Sequence, residues 1–175
     1  MLDASQNVQP NIYKLEKDFV KTMAGHFNLS PSGPRGSAVI YGQDAFTVSR
    51  FTDSNFESNV DGANLLGKTR RMDIALEHSA RIFSSSRKGS RKIAILLTTG
   101  NSAAGSKALG EAVTPLRRTG AQVFIVLIGV KVNNRQAFLA VDRLKDIFMD
   151  QRAEDLLKRS LPIALIIRGK PGELL

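Results

Sequence analysis

Gly62-Ala63-Asn64-Leu65-Leu66-Gly67-Lys68-Thr69 satisfies the pattern G-x-x-x-x-G-K-[ST] letter by letter. In its proper setting that spacing lets backbone N–H groups cradle phosphates while the lysine reaches the terminal ones. The setting is an apolar strand running into the loop and a helix directly after it, whereas Ser54 to Asp61 is polar. An aspartate should also end a buried strand to hold the metal, but Ile93 to Leu97 runs into Thr98-Thr99. Nucleotide binding is therefore the least favoured reading. Arg87, Lys88, Arg91 and Lys92, with Arg117 and Arg118, form basic clusters just ahead of two expected strands. Such clusters gain from counterion release on a polyanion, which points to a glycosaminoglycan; the plain alternative is a solvated basic surface. No aromatics are interleaved with these cations, so base stacking and nucleic acid are not expected. His26 and His78 stand alone, and Asp142, Asp146, Glu154 and Asp155 suit helix solvation and capping. Neither a Ser-His-Asp set nor a carboxylate pair with a common site emerges, so no catalysis is expected.

The elements that must position these residues follow from hydrophobic spacing. Ile12, Leu15, Phe19, Val20, Met23 and Phe27 recur every three or four residues and predict an amphipathic helix over Asn11 to Phe27. Ser37 to Tyr41 and Phe46 to Phe51 read as a hairpin around Gly42-Gln43-Asp44. The polar stretch Thr52 to Lys68 holds one short helix, and Met72, Ala75, Leu76, Ala80 and Phe83 mark a second amphipathic one. Ile93 to Leu97 and Val123 to Ile128 are unbroken apolar runs, the mark of strands covered on both faces. A helix ending near Arg118 lies between them. After them come a helix around Gln136 to Leu144, a short strand Ile147 to Met149, and a closing helix from about Ala153 that Pro162 should kink or end. This order specifies an α/β three-layer sandwich: a mostly parallel sheet with one antiparallel edge strand and helices on both faces. Its ligand crevice belongs at the carboxyl ends of the strands, at Asp3 to Asn7, around Thr69, at Thr98 to Ser102 and at Gly129 to Asn133.

Composition bounds the rest. The 175 residues make one domain and carry 25 Lys+Arg against 16 Asp+Glu, a net charge of +9 that favours an anionic partner. The absence of cysteine rules out thiol catalysis, disulfides and Cys-ligated metal. No run approaches the ~20 apolar residues of a membrane span, and Met1 to Asn7 has no secretory signal pattern.

Asp3-Ala4-Ser5-Gln6-Asn7 ahead of the first helix, Lys68 to Leu76 in the middle, and Ile95 to Ser102 at the buried strand resemble the von Willebrand factor A domain of collagen VI and matrilin-type matrix proteins. Phe124 to Val130 and Asp146 to Met149 are similar to that family's last two strands, so the resemblance covers nearly the whole chain. It implies a metal-ion-dependent adhesion site (MIDAS) made of an Asp-x-Ser-x-Ser loop, a threonine and a second aspartate, whose oxygens suit hard Mg²⁺ or Mn²⁺. Asp3, Ser5 and Thr69 match; Asn7 stands for a serine and Thr99 for the second aspartate. With one carboxylate left, and Lys68, Arg70 and Arg71 beside it, the site is expected to bind Mg²⁺ or Mn²⁺ weakly or not at all, as a retired metal site kept as loop scaffold. The resemblance also implies a buried central first strand, here cut to Met1-Leu2, with the domain over residues 1–168. Residues 169–175 form a tail with two Gly-X-Y triplets that suits an adjoining collagenous or linker segment. The expectation is a secreted, extracellular protein-binding module. Its partners would be collagen or other von Willebrand A chains, or a glycosaminoglycan on the basic surface, and self-assembly or a spacer role is the remaining structural alternative.

Overall fold

A computed structural model describes residues 1–129, 136, 139–141, 146–150 and 152–169. Strand β1 (Leu2–Asp3) leads through a tight loop into α1 (Pro10–Phe27). Pro10 opens α1, where its missing N–H is not needed. Tyr13, Glu16, Phe19 and Met23 are buried along one face of this helix, and Asn28 closes it in the left-handed region with φ 51°, donating its N–H to Gly25 O. The hairpin follows as β2 (Ala38–Tyr41) and β3 (Ala45–Ser49), turned by the Gly42 N–H bond to Asp44 O. Next come α2 (Phe56–Asp61), α3 (Met72–Ser84), β4 (Lys92–Thr98), α4 (Gly105–Arg118), β5 (Ala121–Ile128), β6 (Ile147–Asp150) and α5 (Ser160–Arg168).

The strands form two three-stranded sheets, β1-β2-β3 and β4-β5-β6. Met1 joins them: its amino nitrogen donates to Ile95 O at 2.8 Å, and Leu97 N–H donates to Met1 O at 2.9 Å. The chain is thus a continuous sheet ordered 3-2-1-4-5-6, parallel except at the edge strand β3, as the sequence specifies. Along β5 the side chains alternate between two cores. Phe124, Val126 and Ile128 pack with Phe19, Ile163 and Ile167 under α1 and α5. Val123, Ile125 and Leu127 pack with Leu76, Leu109 and Leu116 under α3 and α4. Burial on both faces explains the unbroken apolar run, each such side chain being worth about 1.5–3 kcal/mol when fully removed from water.

Two expectations need correction, and others lie beyond reach. The closing helix does not start near Ala153: Ala153–Asp155 is a single 3₁₀ turn and α5 begins at Ser160. Pro162 neither kinks nor ends α5 but sits in its first turn, where the helix leaves N–H groups unbonded anyway. Of the helix expected at Gln136 to Leu144, Gln136, Leu139 and Ala140 are helical. Val141 is described and not helical, while Ala137, Phe138, Asp142 to Leu144, the loop from Val130 to Asn133 and the tail from Lys170 lie outside the described residues. Beside Met1, β2 and β4 flank an apolar cleft of about 610 Å³ lined by Phe19, Val39, Phe83, Ile93 and Ile95, with no strand in it among the described residues.

Candidate functional site

The carboxyl ends of β1 and β4 meet the loop before α3, and a buried polar network joins them. Asp3 is fully buried at the end of β1. Its Oδ1 accepts the Ser5 hydroxyl at 2.7 Å and the Ser5 N–H at 3.2 Å. Its Oδ2 accepts the Thr99 N–H and the Thr99 hydroxyl, both at 3.1 Å, and Arg70 Nε. Arg70 Nη2 donates in turn to Thr99 Oγ1, and Arg70 O accepts the Ala103 N–H at 2.8 Å. One guanidinium therefore touches the loop after β1 and the loop after β4 while its own backbone holds the latter again. Gly100 makes room for it: a Cβ built there would lie 2.4 Å from Arg70 Nη1.

Neighbouring bonds fix the loops. Gln6 N–H donates to Lys68 O, and Leu66 and Gly67 N–H both donate to Ala4 O. Gly67 (φ 70°) and Lys68 (φ 58°) are consecutive left-handed residues, turning the chain so that Arg70 runs inward. Arg71 faces away and grips Asp73 in the first turn of α3. Burial acts most strongly, to raise the Asp73 carboxyl, but the Arg71 guanidinium together with the backbone N–H groups of Asp73 and Ile74 outweighs it and holds the group below its ordinary value. Ser102 accepts the Met72 N–H and donates to Asp73 Oδ1, while Gln136 Oε1 accepts the Ser102 N–H at 2.7 Å. Behind the site, Glu16 of α1 accepts the Asp3 N–H at 2.8 Å through Oε2, and its buried Oε1 has no partner among the described residues. Burial first, and the Asp3 charge second, push the Glu16 carboxyl well above the usual carboxylate range.

Of the five positions carried over from the family pattern, Asp3, Ser5 and Thr99 are brought together by hydrogen bonds. Asn7 and Thr69 are exposed at the rim, with no side-chain hydrogen bond among the described residues. Lys68 is exposed beside them, so of the three cations expected to surround the site only Arg70 enters it. Sequence reasoning missed Arg70 as a network member, along with Glu16, Ser102 and Gln136. The available signal was Gly100, a residue without a side chain directly after Thr99.

The basic residues occupy the opposite end of the sheet. Since β4 spans seven residues, the two ends lie about 20 Å apart at ~3.3 Å per residue. Arg87 donates to Gly33 O, Arg91 to Arg168 O and Gln122 Oε1, Lys92 to Thr119 O, and Arg117 to Leu139 O. Lys88 and Arg118 are exposed. Among the described residues, no carboxylate forms an ion pair with Arg87, Lys88, Arg91, Lys92 or Arg118. The octapeptide Gly62 to Thr69 follows helix α2, not a strand, and α3 begins only at Met72, so the phosphate-loop setting is absent. His26 bonds Ser160 and His78 bonds Thr47, both as links between elements.

A parallel sheet with hydroxyl- and carboxylate-bearing loops at its strand ends is the arrangement in which open α/β folds place their ligand crevice. The von Willebrand factor type A domain matches residues 1–154, and the chain belongs to that family, whose members are in general adhesion and protein-interaction modules and typically non-enzymatic. The fold is shared with proximal thread matrix protein 1 from the mussel byssus (TM-score 0.85, 18% identity, 93% of this chain and 45% of that one). It is shared too with the pilus adhesin SpaC from Lactobacillus rhamnosus GG (TM-score 0.78, 11% identity, 93% and 29%). A second structure of the mussel protein, with TM-score 0.82, 18% identity and the same 93% and 45% coverage, has a zinc-occupied MIDAS motif. The chain spans less than half the length of each of these proteins.

The residues present here do not fit such an ion. Both oxygens of Asp3 are taken by protein donors, and the third of those donors to Oδ2 is a cation. A dication at Asp3 would face that guanidinium in a setting with little water to screen the repulsion.

Proposed function

We propose that the chain is a non-enzymatic protein-binding module of an extracellular matrix or adhesion protein, engaging its partner with the loop face at the carboxyl ends of β1 and β4. One observation carries the reading: the buried Asp3–Ser5–Arg70–Thr99 network holds three loops in register beneath an exposed polar rim of Gln6, Asn7, Lys68, Thr69 and Asn101. A rigid base under adaptable amides and hydroxyls is what a binding face requires, because loops already ordered lose less entropy on docking. The partner class is a matrix protein, collagen or another von Willebrand A chain. The test is solid-phase binding to a panel of collagens: Asn7→Ala combined with Thr69→Ala and Asn101→Ala should cut binding at least tenfold, and equal binding by this variant would refute the face.

The second reading is a glycosaminoglycan site at the other end, favoured by Arg87, Lys88, Arg91, Lys92 and Arg118 standing without carboxylate partners among the described residues. Polyanion binding through these side chains would weaken steeply with salt. Passage through a heparin column at physiological salt without retention would exclude it.

A further inference from the structure

We propose that Arg70 is a tethered cation that assembles the loop face in the place of a divalent ion, so that the face is complete without metal. The proposal concerns the loops themselves and holds whichever partner docks on them.

Three features of the site support it independently. The first is valence. Asp3 is the network's anion, and its two oxygens accept from the Ser5 hydroxyl and N–H, from the Thr99 hydroxyl and N–H, and from Arg70 Nε. A metal would have to displace several of these donors at once. The second is connectivity. The guanidinium bonds Asp3 and Thr99 through different nitrogens, and the Arg70 carbonyl bonds Ala103. Bridging oxygens of separate loops is the structural work of a bound ion, and the planar fork of arginine does it with fixed directions where a lysine would offer only a point charge. The third is the shape of the cradle. The space beside Nη1 is open because residue 100 is glycine; a Cβ there would stand 2.4 Å from Nη1, and 3.3 Å from Cζ. The loop after β4 is cut to admit a guanidinium, and with 8% of its side chain exposed Arg70 is committed to this position.

The departure at position 99 then has a physical cause. With a cation supplied by the chain, a second carboxylate at position 99 is not needed to offset an ion's charge, and a hydroxyl that accepts from Nη2 while donating to Asp3 serves better. The arrangement also removes dependence on free metal concentration, because the local concentration of a covalently attached cation is fixed.

The experiment is metal titration of the whole chain by calorimetry, paired with thermal melts in EDTA and in millimolar MgCl₂ or MnCl₂. The wild-type protein is expected to give no saturable heat and Tm values that agree within about 1 °C, since an ion that does not bind the native state cannot shift its melting. The variant Arg70→Ser combined with Thr99→Asp vacates the position and adds the carboxylate. It is expected to gain saturable Mn²⁺ binding and to melt about 5 °C or more higher with metal than with EDTA, as mass action requires once metal is in roughly hundredfold excess over Kd. Saturable metal binding by the wild type, or a folded double variant that still binds none, would overturn the proposal. The wild-type arm decides by itself if the double variant does not fold.

Discussion

At the scale of single residues, the site is held by a buried ion pair whose members are each costly to lose. Asp3 and Arg70 are almost wholly out of water, and removing one partner of such a pair leaves the other charge uncompensated. Arg70→Ala is therefore expected to cost about 3–5 kcal/mol in urea denaturation. Gly100→Ala pushes a methyl against Nη1 and is expected to cost about 1–3 kcal/mol by the same measurement, as overpacking does. Glu16 adds a pH dependence. Its folded carboxyl titrates well above its ordinary 4.5, so the folded state takes up a proton more readily than the unfolded chain. Its contribution is full below 4.5 and is lost as pH rises from there toward the raised folded value, at up to about 1.4 kcal/mol per pH unit. Glu16→Gln keeps an acceptor for the Asp3 N–H without the charge, so it should stabilise the protein more at pH 7 than at pH 4 in paired melts; an equal effect at both would contradict the buried ionisation. Asp3, Ser5 and Thr99 were legible through the resemblance to the family's adhesion loops, which fall at the strand ends where an open α/β sheet places its crevice. Arg70 was legible only as a neighbour. Which of residues 68 to 71 turns inward is set by the backbone handedness at Gly67 and Lys68, and hydropathy carries no trace of that.

At the scale of elements, the strands and helices announced themselves by period, and the ends did not. The alternation of β5 between two cores is what an unbroken apolar run means, and both cores formed as that run requires. Pro162 was misjudged because the same residue that stops a helix from inside opens one from its first turn, and sequence cannot say which until the helix start is known. The cleft beside Met1 is the element-scale weakness. There Val39, Ile93 and Ile95 line space that no strand fills among the described residues, and burial pulls the Met1 amino group down to about 5. Adding five residues of alternating Val and Thr ahead of Met1 would replace that amine by an amide and supply ladder bonds to β2 and β4. Ladder bonds at about 1 kcal/mol each, less the cost of ordering five residues, leave a net gain of about 2.5 kcal/mol, which at 2–4 °C per kcal/mol is expected to raise Tm by roughly 5–10 °C in calorimetry. An unchanged Tm would show that the cleft does not accept a strand.

At the scale of the whole molecule, the two ends of the sheet carry different chemistry. One end presents amides and hydroxyls with Lys68 over a buried, internally neutralised network, and the other presents Arg87, Lys88, Arg91, Lys92 and Arg118, which have no carboxylate partner among the described residues. A partner recognised through the first should tolerate salt, and one recognised through the second should not. The measurement that goes most directly to the central claim is solid-phase binding of the whole chain to a collagen panel, in EDTA and in Mg²⁺. The expected result is equal binding under both conditions, lost in the Asn7→Ala, Thr69→Ala, Asn101→Ala variant and kept when Arg87, Arg91 and Arg118 are replaced by Ala. Binding abolished by EDTA, or carried by the basic end and indifferent to the loop face, would contradict it.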